Sequence, residues 1–130
     1  MLGDCAVTEN WVKDLENLVE FHEQNSLIAH KKKYELVVVD ASETLPQYLY
    51  EHPESFMALA YFGFYSHAPT RDRLKVIRPY LTKGSTLASD ELNCAGFPGE
   101  TLAVLEALGL DSFSLRRLPL SPLTSFLVIE

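Results

Sequence analysis

Cysteine is scarce in this sequence. There are only Cys5 and Cys94 in 130 residues. Neither sits in a CxxC pair, which excludes a disulfide framework. No HExxH motif and no Cys/His cluster is present, so a structural zinc site is excluded too. Glycine (6) and proline (7) are too few for a collagen-like or low-complexity chain. Neither GxGxxG nor GxxxxGK[ST] occurs, so both familiar phosphate-cradling loops are missing. Basic residues are outnumbered, 11 Lys+Arg against 18 Asp+Glu, for a net charge of -7. Such a field repels nucleic-acid phosphates and anionic lipid head groups. The longest apolar stretches, near residues 56–64 and 126–129, fall far short of a membrane span. The opening residues carry Asp4 and no basic-then-apolar signal pattern. A soluble, cytoplasmic protein is the expectation.

What is present suits a folded core. Hydrophobic residues make up 47% of the chain and charged residues 22%, a globular balance. A chain of this length reads as a single domain over residues 1–130, burying roughly two-thirds of its unfolded surface. Trp11, Leu15, Leu18 and His22 recur at helical spacing behind Thr8, predicting a helix over residues 9–24. Lys31, Lys32 and Lys33 read as a solvated turn. The β-branched run at 34–39 predicts a buried strand, with Asp40 at its carboxyl end and Ser42 capping a short helix to Tyr50. Residues 56–62 predict a central strand. Pro69 opens a helix with Leu74, Ile77 and Leu81 on one face, weakened by Pro79 and closed by Gly84. Residues 85–89 predict a third strand. A helix with Leu102, Leu105 and Leu108 on one face then runs to Gly109, followed by a C-terminal hairpin. The order predicts an α/β fold of about five strands, mostly parallel with an antiparallel C-terminal hairpin and helices on both faces.

Asp40, residues 63–65 and the Asp90-Glu91 pair each fall at the carboxyl end of a predicted strand, where open α/β sheets bind ligands. Two adjacent acids there suit a hard divalent cation, and they equally suit a solvated strand end. His67 lies near the same edge with a ring suited to proton transfer; as a lone loop histidine it also suits a surface role. Cys94 has no base beside it in sequence and reads as a bystander thiol. The Gly96–Glu100 turn presents amides that an anion, or nothing, accepts. Arg71, Arg73, Lys75 and Arg78 read as a solvated helix face.

Several stretches together resemble the macrocin-type O-methyltransferase family, class I S-adenosylmethionine-dependent enzymes acting largely on sugars. They are YELVVVDASETLP at 34–46, ALAYF at 58–62, Pro69-Thr70, KGSTLASDE at 83–91, GFPGET at 96–101 and SPLTSFLVI at 121–129. The resemblance implies a truncated Rossmann-like fold. The family's cofactor loop on the first strand, and the ribose-binding acid after the second, have no counterpart here. It places Asp40, Ala41 and Ser42 beside the cofactor's adenine and puts Asp90 and Glu91 on a Mg²⁺ ion. The family's Asp-x-Asp-x-Tyr before Pro-Thr is replaced, so that Gly63 and Tyr65 stand at the two acids and His67 at the tyrosine. His67 is then the candidate catalytic base. The implied activity is O-methylation of a sugar hydroxyl, impaired in this chain alone. The alternative is a non-enzymatic interaction or regulatory module. Either way the missing strands imply an exposed sheet edge, covered in a homo-oligomer or by a protein partner.

Overall fold

The structure, a computed structural model, describes residues 10–38, 40–64, 66–92, 94–96, 98–109 and 113–130. The chain divides into two compact units, Met1–Val39 and Asp40–Glu130, where the sequence reading drew no boundary. Thr8, Cys5, Tyr65 and Phe97 lie outside the described residues.

The first unit contains α1 (Trp11–Gln24), close to the predicted span, with Asn10 at its N-cap position and Asn25 at its C-cap. The Asn25 side-chain amide donates to the Phe21 carbonyl at 2.7 Å, satisfying one of the last-turn acceptors. No residue of α1 is buried. Lys33 turns back toward the helix, its Nζ 3.7 Å from Glu23 and 3.1 Å from the Ile28 carbonyl. The strand predicted at 34–39 is not found: residues 32–38 have no regular secondary structure, and Val39 is outside the described set. Val37 and Val38 are each 53% exposed. A β-branched run becomes a strand only where a neighbouring ladder pairs it and a packed face covers it.

The second unit is a four-stranded sheet in the order β1-β2-β4-β3. Its strands are β1 (Met57–Phe62), β2 (Leu81–Ser89), β3 (Arg116–Leu118) and β4 (Ser121–Val128). Among the described residues there are therefore four strands, not five. β1 and β2 are parallel, while β4 runs antiparallel to both β2 and β3. The C-terminal hairpin is present as expected. Between these strands come α2 (Ala41–Glu51), α3 (His67–Ile77) and α4 (Gly99–Leu108).

Three local readings are corrected. Asp40, not Ser42, caps α2: it stands one residue before the helix, and its side chain accepts from the Ser42 amide at N2. The third helix does not run on to Gly84. It ends at Ile77, passes through a 3-10 turn at Arg78–Tyr80, and β2 begins at Leu81. Pro79 lacks the amide a further helical turn needs. Gly84 lies inside β2 at φ 92, where the register to β1 jumps between Met57↔Leu81 and Leu59↔Thr86. That is a bulge, and glycine supplies its left-handed residue.

The third correction concerns α4. Its inward face is Glu100, Ala103, Val104 and Ala107, while Leu102 and Leu105 are exposed. The cause is close approach to α3. A Cβ at Gly99 would lie 2.9 Å from the His67 backbone nitrogen, and at that separation only small side chains fit between the helices. The core joins these residues to Leu49, Phe62, Leu74, Ile77, Leu87, Leu92 and Leu127. Arg78 Nη1 donates to the Ala107 carbonyl at 3.0 Å, closing the C-terminus of α4. The Tyr80 hydroxyl donates to Leu49 O at 3.2 Å.

Candidate functional site

The parallel pairing of β1 with β2 sets Phe62 beside Ser89, so both strands end at one level. The Asp90 amide donates to the Phe62 carbonyl at 3.3 Å. Just beyond, the Tyr61 hydroxyl donates to Asp90 Oδ1. Beneath this level sits Glu100, only 1% exposed. Its Oε1 accepts from the Phe64 amide at 3.1 Å, and its Oε2 accepts from the Ser89 hydroxyl and, at 3.4 Å, the Glu91 amide. One carboxylate from α4 thus binds both strand-end loops. From sequence the 96–100 turn reads equally as amides offered to an anion and as a plain turn; in the structure it delivers the anion, and the strand ends supply the donors.

The segment assigned to the cofactor forms the N-terminus of α2. Asp40 Oδ1 accepts from Ser42 N at 2.7 Å and lies 3.1 Å from Arg73 Nη2. The Ser42 amide, then its hydroxyl, and the Arg73 guanidinium hold the Asp40 carboxyl below its ordinary range. Ala41 and Ser42 also line an open groove of about 220 Å³ with Pro46, Asp72, Arg73 and Val76. Arg73 is not part of a solvated face: its side chain is 11% exposed. It donates to the Pro69 carbonyl at 3.2 Å, and its guanidinium lies 5.4 Å from the centre of the Phe64 ring. Sequence reasoning missed Arg73, Tyr61 and Glu100. The acid in the first turn of a helix that follows Pro-Gly was the one available signal.

His67 is the first residue of α3. Its Nε2 lies 3.1 Å from Glu106 Oε2 on α4, within ion-pair reach but without hydrogen-bond alignment. Cys94 is a free, partly buried thiol.

No family model and no curated protein matches the chain. Solved structures do. The apo structure of CalS11, a TDP-rhamnose 3'-O-methyltransferase of calicheamicin biosynthesis, is 40% identical over 96% of this chain, with a TM-score of 0.84. A second CalS11 structure, that of a calicheamicin methyltransferase, is 41% identical over 98% of this chain with a TM-score of 0.87. The fold is methyltransferase-like. The chain spans about half the length of these solved methyltransferases, 55% and 50%.

In this methyltransferase-like fold, the Mg²⁺ that the sequence resemblance implied does not fit the residues present. Gly63 brings no carboxylate, and Asp90 Oδ1 is engaged by Tyr61. Burial, and the Glu100 and Asp90 carboxylates beside it, push the Glu91 carboxyl above its ordinary range. Among the described residues no group of three or more His, Cys, Asp or Glu side chains is placed to hold a metal ion. No helix among the described residues is long and apolar enough to cross a membrane.

Proposed function

We infer that this chain belongs to an S-adenosylmethionine-dependent O-methyltransferase of the macrocin type, with a small-molecule acceptor that carries a sugar hydroxyl. The observation that carries this reading is about 40% identity to a TDP-rhamnose 3'-O-methyltransferase sustained over 96% of the chain. The α2 N-terminus supports it, because Ala41 and Ser42 line a groove next to the Asp40 cap. When bound, S-adenosylmethionine supplies an electrophilic methyl group on a sulfonium sulfur. Methylation of an acceptor hydroxyl would also need a base for its proton. His67 is the candidate for that role, its Nε2 3.1 Å from Glu106 Oε2.

A second reading is a non-enzymatic interaction module acting as an oligomer or with a protein partner. The outer face of β1 favours it, since Leu59 is 62% and Tyr61 56% exposed.

Titration calorimetry with S-adenosylmethionine tests the first reading. The chain should bind it saturably in the micromolar range, and Ala41→Trp, which fills the groove, should remove that binding while the chain still melts cooperatively. No binding at millimolar cofactor would sink the enzymatic reading for this chain and leave the interaction module.

A further inference from the structure

The carboxyl ends of β1 and β2 hold a hydroxyl–carboxylate pair in the place where the sequence resemblance implied a cation. Tyr61 lies on the solvent side of β1, and its phenol O–H donates to Asp90 Oδ1. The second oxygen, Oδ2, faces Gly63: a Cβ added there would lie 3.5 Å from it. One oxygen of Asp90 is therefore held by a donor, and the other looks onto a residue with no side chain. Next along the chain, Glu91 Oε2 is shielded from solvent and has no hydrogen-bond partner.

Hard divalent cations take oxygen ligands, and their affinity follows the number of charged ones and the rigidity of the site. Here the charged set is depleted twice: Gly63 supplies nothing, and Asp90 Oδ1 is engaged by a hydroxyl donor. We propose that Tyr61 replaces a divalent cation as the partner of Asp90, making this strand-end site independent of metal. Tyr61 is then a positioning residue, fixing the carboxylate that a cation would otherwise fix. The inference deepens the O-methyltransferase reading and rests on it only for the expectation of a metal at this place.

Manganese titration of the full chain, with free Mn²⁺ read by electron paramagnetic resonance, tests it. The unaltered chain should show no saturable binding up to about 1 mM Mn²⁺, the weak end of carboxylate sites. The Gly63→Asp/Tyr61→Phe pair should gain one site at least about tenfold tighter than that limit. Gly63 has room for a Cβ and Tyr61 is exposed, so this variant should fold, as a thermal melt will show. Tyr61→Phe alone should gain a weaker site, and it carries the test if the double variant does not fold. Saturable binding to the unaltered chain that Asp90→Asn abolishes would overturn the proposal. So would folded variants that gain nothing. Cofactor titration of the unaltered chain is a separate readout: no cofactor binding there, with the manganese gain of the variants intact, sinks the methyltransferase reading and not this one.

Discussion

Helices α1 and α4 stand in opposite relations to their surroundings. The longer, α1, presents Trp11, Leu15, Leu18 and Phe21 at helical spacing and buries none of them. The shorter, α4, leaves Leu102 and Leu105 outside and buries two alanines, a valine and a glutamate. Burial here follows how closely a neighbouring backbone approaches, not how apolar the side chain is. Helix stability in proteins comes mostly from a packed face, so substitutions in α4 should reach the whole second unit while those in α1 stay local.

The largest break in that contrast is Glu100→Ala. It leaves the Phe64 amide and the Ser89 hydroxyl without their carboxylate partner in a buried place and empties the space the side chain fills. Unpaired buried donors and a cavity together cost about 2–4 kcal/mol. Leu18→Ala on the exposed face of α1 should change stability by no more than about 0.5 kcal/mol. Urea unfolding of both variants measures the difference. Equal costs would mean that α1 is packed as tightly as α4.

Gly99→Ala comes next and probes the approach itself. A methyl group there meets the His67 backbone nitrogen at 2.9 Å and the Ser66 carbonyl carbon at 3.2 Å. These are backbone atoms of α3 and its cap, which have no rotamer to move. One methyl group too many in a tight contact costs about 1–3 kcal/mol. The same exchange at Gly96, where a Cβ meets nothing within 4 Å, should be close to neutral. A neutral Gly99→Ala would show that α3 and α4 are free to separate.

This approach also marks where sequence reasoning stops. The runs at 56–62 and 124–129 read as strands, the second beginning in the structure already at Ser121, and α2 and α3 read as helices, because apolar period and Pro or Ser punctuation are local signals. The inward face of α4 was not legible. Its periodicity offers Leu102, Leu105 and Leu108 as the core stripe; Leu108 does pack against the core, while the close approach at His67 leaves Leu102 and Leu105 exposed. Residues 34–38 failed for a related reason, since β propensity names a candidate and says nothing about whether a neighbour pairs it. The strand-end position of Asp90 was legible from topology. Its partner Tyr61 was not, because an alternating strand gives no sign of which side chain reaches over the sheet's end. Arg73 looked like one more cation on a charged helix, and nothing local says that its guanidinium folds back onto Asp40 and Phe64.

The smallest effects sharpen the contrast at the level of single carboxylates. Asp40 is exposed and its pKa is lowered, chiefly by the Ser42 amide and further by Arg73. The stability it contributes is present above the ordinary carboxylate range and is lost as pH falls through its lowered folded value. Glu91 is shielded and its pKa is raised, chiefly by burial. Its ionised form opposes folding above that raised value, and acidification through it relieves the cost. Asp40→Asn should therefore lower the melting temperature slightly at neutral pH, with the gap closing toward pH ~3. Glu91→Gln should raise it slightly at neutral pH, and its advantage should vanish below pH ~4. Melting curves across that range read both signs at once. If the two variants shifted in the same direction, the difference would not come from the fold's treatment of exposed and shielded charge. Opposite shifts would place the buried strain of the second unit at the ends of β1 and β2, where α4 inserts Glu100, and the favourable charge at the exposed cap of α2.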